Sequence, residues 1–394
     1  MLRVPRSVAA LVALALVPSL VAAACDRRSS LPAPSPGTGG GNVADAGDDS
    51  LLELPDGTPP PPPDASGYCG NEVHPFEFDA TNVYFVLDAS GSMLQAAGGK
   101  TRFQALRDAS IHIVRTMGPL IRVGAAVFPR NQGPEACGVG EQVMPLTPGD
   151  PYDGDNLDGP TTVAFKQATA VDPGGGTPVS PTLDALAPTL TSLPGRTVVI
   201  LATDGGPNCN AEASCGIDTC QPNIEGSCSE GDCCGTNCCA PNGPFGPESC
   251  IDEPGSVFSL DYLNAAGIDT YVVGIPGSEL YAGVLDSMAL AGGAAQFVSP
   301  HYYKVDDLSD LQGVLSSIAS LVVSCSFTLA SPPEDPTQTN VYFDDEVVLY
   351  DPENGWYWQY DGVVGLAGEA CQRLKSGQVK QVQIVSGCPT EVPN

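Results

Sequence analysis

The sequence predicts an α/β fold: a doubly wound, mostly parallel sheet with a disulfide-rich insert and a small β-rich C-terminal module. Three observations predict it. Continuous apolar runs recur through the middle of the chain, stripes of helical spacing lie between them, and nine of fifteen cysteines crowd into one stretch.

The apolar runs come first. Val83-Tyr84-Phe85-Val86-Leu87 ends at Asp88. Val123 to Phe128 is a second run, Val198-Val199-Ile200-Leu201-Ala202 a third that ends at Thr203-Asp204, and Thr270 to Ile275 a fourth. A run that is apolar on both faces suits a strand buried inside a parallel sheet. The helical stripes are Phe103, Leu106, Ser110, Ile113 and Met117; Leu183, Leu186 and Leu190, with Ser180 as N-cap before Pro181; Leu280, Val284, Met288 and Ala291; and Leu308, Leu311, Leu315, Ile318 and Val322. Strands alternating with helices imply an open α/β sheet over 79–324. Such sheets bind ligands at the carboxyl ends of their strands, where strand order reverses.

The flanks read differently. Arg3 and Arg6 precede an apolar run, Val8 to Ala24, too short for a membrane span, so residues 1–24 read as a bacterial export signal. Two cleavage patterns fit. Ala22-x-Ala24 suits an ordinary signal peptidase. Small residues ending at Cys25 resemble a lipobox, although Ala22 stands where leucine is usual. Cysteine parity favours lipidation of Cys25, because fourteen cysteines then remain to pair. Residues 25–78 hold this anchor and a Pro/Gly-rich linker with Gly39-Gly40-Gly41 and the run Pro59 to Pro63. Little there can be buried, and a coil of that length would span about 30–40 Å. Residues 325–394 form the β-rich module. Trp356, Trp358 and Tyr360 alternate there, which is a core stripe first and a sugar-stacking platform second.

Charge excludes some functions. With 16 Lys+Arg against 46 Asp+Glu, the net charge is −30. Phosphate contacts need clustered cations, so no nucleic acid is expected. A polybasic lipid-docking patch is excluded for the same reason.

The chemistry gathers at strand ends. Asp88-Ala89-Ser90-Gly91-Ser92 follows the first apolar run, Thr177 follows Gly174-Gly175-Gly176, and Asp204 follows the third run. These three parts, in this order and on these elements, resemble the von Willebrand factor A domain with a metal-ion-dependent adhesion site. The resemblance covers roughly residues 80 to 323. It implies direct metal ligation by the hydroxyls of Ser90, Ser92 and Thr177, and ligation by Asp88 and Asp204 largely through water. An all-oxygen set suits Mg²⁺, or Mn²⁺ or Ca²⁺, and the absence of His and Cys argues against zinc, copper or iron. In the family the last coordination position goes to a partner's Asp or Glu.

Neighbouring features carry less. No Gly-Lys-Ser/Thr follows the glycine run, so it is no phosphate loop. Asp150, Asp153, Asp155 and Asp158 lack calcium-loop spacing and read as a solvated acidic loop. The insert, 207–254, holds Cys209, Cys215, Cys220, Cys228, Cys233, Cys234, Cys238, Cys239 and Cys250, without C-x-x-C or histidine. A disulfide-stapled loop is therefore expected rather than zinc. Cys69, Cys137, Cys325, Cys371 and Cys388 lie outside it. Nine is odd, so at least one bridge should leave the insert, and Cys137–Cys209 is the expected one because both follow core strands. The insert also has eight acidic residues and no Lys or Arg. One of them could occlude the metal.

No enzyme is expected: His74, His112 and His301 fall in no catalytic motif, and no G-x-S-x-G elbow exists. The leading expectation is an exported, lipid-anchored protein at the bacterial cell envelope, on the outer membrane or cell surface or facing the periplasm, and secreted if not anchored. It would bind a partner protein's carboxylate through a divalent cation. The alternatives are an envelope-assembly component whose metal only stabilises the fold, and carbohydrate binding by the tail.

Overall fold

The computed structural model describes residues 72–97, 99–130, 137–151, 158–227 and 235–393. The export signal, Cys25, Cys69, Cys228, Cys233 and Cys234 lie outside the described residues. Among the described residues no helix is long and apolar enough to cross a membrane.

A six-stranded sheet forms the centre, in the order Tyr303–Lys304, Asp269–Gly274, Thr197–Thr203, Thr81–Asp88, Ile121–Phe128, Glu141–Pro148. Every neighbouring pair is parallel except the last, which is antiparallel. The order reverses beside Thr81–Asp88: the chain runs first to Ile121–Phe128 on one flank and later to Thr197–Thr203 on the other. The expected doubly wound, mostly parallel sheet is present.

Alternation of side chains across the pleat builds two cores. Val83, Phe85 and Leu87 pack with helices Arg102–Met117 and Leu311–Val322. Tyr84 and Val86 face the opposite way and pack with Val179–Ser192, Glu253–Ala265 and Ala282–Ala291. All eight residues of the central strand are buried.

Two edge strands escaped the sequence reading. Glu141–Pro148 is half exposed and carries prolines, and Tyr303–Lys304 is only two residues long. Neither makes an apolar run. Two helix starts also move. The second stripe's helix begins at Val179 behind Pro178, so Ser180 lies inside it and is not its cap. Leu280 belongs to a preceding turn and is 62% exposed, while Tyr281 beside it is buried.

The C-terminal strands form two four-stranded sheets, 72–73/382–386/339–343/346–348 and 356–360/363–366/326–329/76–78. Both recruit residues that the sequence reading put in the linker. Glu72–Val73 pairs with the last strand, and Phe76–Phe78 pairs with Ser326–Leu329. The physical reason is a three-ring cluster: Phe76 and Phe78 each meet Phe327 edge-on at 5.1 Å. Nor do these sheets stand apart, because Phe327, Val341, Trp356 and Ile384 belong to the same buried cluster as Val83 and Phe85. Trp356 is fully buried, between Tyr350 and Trp358. The pairing shifts register between Trp358 and Tyr360, which breaks the stripe, and Tyr360 is 64% exposed.

Asp150 is not solvated. It is buried, and its carboxylate accepts the amide N–H groups of Thr161 and Thr162 at the start of helix Pro160–Ala168. Asp158 is ion-paired with Arg115 and Lys166. Asp153 and Asp155 lie outside the described residues.

Candidate metal centre

Asp88 ends the central strand and Asp204 follows the strand beside it, so both carboxylates emerge at the reversal of strand order. Both are buried. Asp88 Oδ1 accepts the Ser90 amide N–H at 2.7 Å, and its Oδ2 accepts the Thr203 hydroxyl at 2.6 Å. The Ser92 hydroxyl donates to Asp204 Oδ1 at 2.6 Å, and the Ser90 and Ser92 Oγ atoms lie 3.0 Å apart.

The glycine run serves backbone contact rather than phosphate. Gly174 N–H donates to Ala89 O, and Gly91 N–H donates to Gly175 O. These bonds bring Thr177 beside the two serines, in the wall of one cleft. Thr177 is 3% exposed, and among the described residues its hydroxyl makes no hydrogen bond. All five motif residues therefore converge.

The arrangement fits a divalent cation. Adjacent ligands of an octahedron with about 2.1 Å bonds lie about 3.0 Å apart. The two serine oxygens have that spacing. The Thr177 side chain lines the cleft and its hydroxyl has no hydrogen-bond partner among the described residues, and all the ligand atoms are oxygen, the set preferred by Mg²⁺, Mn²⁺ and Ca²⁺. Ser90, Ser92 and Thr177 would hold such an ion, with Asp88 and Asp204 behind them.

Burial, and then the charge of Asp204, push Asp88 up to about 7, against its bonds from Thr203 and Ser90. Asp204 is also raised by burial, while the Ser92 hydroxyl and Arg102 oppose the shift. Arg102 was not foreseen. Its guanidinium donates to Asp204 Oδ2 at 2.6 Å with only 15% of the side chain exposed. Gly277 makes room for it: at φ +117°, a Cβ there would stand 2.6 Å from the guanidinium carbon. A signal existed in the sequence. Arg102 opens a helix, where the dipole disfavours a cation, so another group had to hold it there.

The insert forms the far side of the cleft, a space of ≈ 600 Å³ that Glu225, Phe245 and Glu248 line opposite the motif. The Glu225 carboxylate accepts from the Tyr281 hydroxyl at 2.7 Å and from Gln221 Nε2 at 3.0 Å, not from the motif hydroxyls. Bridges Cys215–Cys250 and Cys220–Cys239 staple the insert, and Cys137–Cys209 ties it to the sheet as expected. Cys215, Cys239 and Cys250 crowd together, but each is in a disulfide and offers no thiolate. Cys325 joins Cys371, and Cys238 and Cys388 are also disulfide-bonded.

The histidines lie apart from this cleft. His74 is buried in a C-terminal sheet against the Ser386 hydroxyl, His112 lies on helix Arg102–Met117, and the His301 ring meets Gln296 O.

The sheet order and the placement of the motif at the reversal define the class of domain, an α/β domain with a doubly wound, mostly parallel sheet. No protein-family model matches the chain, and no curated protein matches it. Solved structures do. The vWF domain of the type V pili tip protein Mfa5 from Porphyromonas gingivalis is 15% identical, with a TM-score of 0.41 over 62% of this chain and 95% of that one. Pilus adhesin SpaC from Lactobacillus rhamnosus GG is 15% identical, with a TM-score of 0.44 over 80% of this chain and 40% of that one. Proximal thread matrix protein 1 of the mussel byssus is 15% identical, with a TM-score of 0.37 over 62% and 47%. The chain thus spans less than half the length of the last two.

Two predictions follow from the electrostatics. In the cation-free protein Asp88 is raised from 3.8 to about 7. The unfolded chain releases this proton first, so stability present below pH about 4 is lost as pH rises through about 7. A cation favours the carboxylate and reverses the trend. The melting-temperature gain from saturating Mg²⁺ should therefore grow from pH 5.5 to 8 in scanning calorimetry; a gain independent of pH would contradict this. Arg102→Met should destabilise the protein in EDTA by roughly 3–5 kcal/mol, because Asp204 is left buried and unpaired. The same change should tighten divalent-cation binding in titration calorimetry, because one positive charge leaves the site.

Proposed function

We propose that this chain is an exported, envelope-tethered binding protein that takes a partner's carboxylate through a divalent cation held by Ser90, Ser92 and Thr177. The observation that carries the reading is the convergence of three hydroxyl side chains on one open cleft above two buried carboxylates, with the Thr177 hydroxyl unpartnered among the described residues.

Charge supports the choice of ligand. Asp88 and Asp204 contribute two negative charges and Arg102 one positive. A bound divalent cation would leave the cluster with one net positive charge in a low-dielectric setting, where it attracts an anion strongly. Hydroxyl ligands are neutral and leave the cation's Lewis acidity for an incoming oxygen. A carboxylate answers both needs. Mg²⁺ is the first candidate, with Mn²⁺ and Ca²⁺ next. The same carboxylate must pass Glu225 and Glu248 of the insert, so these side chains select among partners by repulsion.

The remaining parts fit an extracytoplasmic setting. Disulfides persist in oxidising compartments. In this reading residues 1–24 export the chain, a lipid on Cys25 anchors it, and the linker is the tether. No catalytic role is proposed. A second reading, envelope assembly with a cation that only stabilises the fold, draws on the stapled insert and the C-terminal sheets as contact surfaces.

The two readings separate in one experiment. Envelope extract is passed over the immobilised protein in Mg²⁺, in EDTA, and with Asp88→Ala. The adhesion reading expects partner capture in Mg²⁺ only, and none by Asp88→Ala with circular dichroism unchanged. Capture that survives both EDTA and Asp88→Ala supports the assembly reading instead.

A further inference from the structure

Thr177 is the one hydroxyl ligand of the centre that does not come from the Asp88–Ser92 turn. The bonds of Gly174 and Gly175 to the Asp88–Ser92 turn bring its loop to the serines, and Val179 N–H donates to Thr177 O, but the Thr177 amide is held from the insert side. The Thr177 amide N–H donates to Asn208 Oδ1 at 2.7 Å, and the Asn208 amide N–H donates back to Thr177 O at 2.9 Å. One residue thus holds both backbone polar groups of Thr177. Asn208 is 6% exposed, and its Nδ2 donates to Gln221 in the insert.

A second tie lies one residue away. Gly176 packs against the Cys137–Cys209 bridge: a Cβ on it would stand 2.5 Å from Cys209 Sγ, 2.9 Å from Asn208 Oδ1 and 3.4 Å from Cys137 Sγ. Cys209 has φ +73°, a left-handed conformation that a residue other than glycine holds only when its surroundings impose it. Its N–H donates to Glu248 O, which fastens this turn to the far end of the insert.

We propose that Asn208, together with the Cys137–Cys209 bridge, is a positioning element for Thr177: the insert, rather than the sheet, holds the third hydroxyl ligand on the cation. The inference rests on the metal-binding reading above. It gives the insert a role that neither a protective loop nor an occluding carboxylate supplies. A partner whose binding moved Asn208 would shift the affinity of the centre for its cation, and the cation would shift the partner's affinity by the same factor.

The test is a double-mutant cycle on Mn²⁺ affinity, read by electron paramagnetic resonance on the full chain, with melting in EDTA as the check on folding. Loss of a group that orients a ligand costs about tenfold in metal affinity. Asn208→Ala should therefore weaken Mn²⁺ binding about tenfold in the unsubstituted protein. In the Thr177→Ala background it should change binding by no more than about twofold, the scatter expected of independent sites. Equal losses in the two backgrounds would overturn the proposal, because a merely structural residue costs the same with or without Thr177. If Asn208→Ala does not fold, the paired Cys137→Ala, Cys209→Ala replacement runs through the same cycle. An unsubstituted protein that binds no Mn²⁺ overturns the metal reading and this inference together, whereas binding with equal losses overturns this inference alone.

Discussion

Two like charges buried side by side are the constraint on which the rest of this structure depends. Asp88 and Asp204 emerge from neighbouring parallel strands, and both are buried. Burying an unpaired carboxylate is costly, and burying two together is worse. The surroundings answer that cost. Thr203 and the Ser90 amide serve Asp88, while Ser92 and Arg102 serve Asp204. Arg102 compensates one charge, and among the described residues Asp88 has no cation of its own. A divalent ion would more than offset the remaining negative charge, so burial of the pair favours binding of such an ion.

The support around this pair comes from three directions. The sheet supplies the carboxylates, helix Arg102–Met117 supplies the guanidinium, and the insert reaches over to Thr177 through Asn208 and the Cys137–Cys209 bridge. The C-terminal sheets share a buried cluster with one face of the central sheet, through Phe327 and Trp356. They add to the core that buries the strands whose ends carry the centre. The disulfides of the insert do similar work where little apolar surface is available, since much of the insert's core is the cysteines themselves.

Legibility followed burial. Thr81–Asp88 and Thr197–Thr203 are buried on both faces, and their apolar runs declare them. Edge strands have one solvated side and little length, which is why Glu141–Pro148 and Tyr303–Lys304 carried no signal. Phe76 and Phe78 looked like linker because their partner, Phe327, lies about 250 residues away, and three-residue strands show no period. The five motif residues were readable because each directly follows a strand or precedes a helix. Asn208 was not, because its role exists only across the fold, and Arg102 left no sign but its unfavourable place at a helix start. Asp150 failed for a similar reason: an acid among acids looks solvated until the helix that it serves is in place.

The most direct test of the central claim is anomalous diffraction from crystals of the protein equilibrated with Mn²⁺. The account predicts one strong anomalous peak bounded by the hydroxyl oxygens of Ser90, Ser92 and Thr177, with Asp88 and Asp204 behind it. A well-ordered centre with no peak at full Mn²⁺ loading, or a peak held by other residues alone, would contradict it.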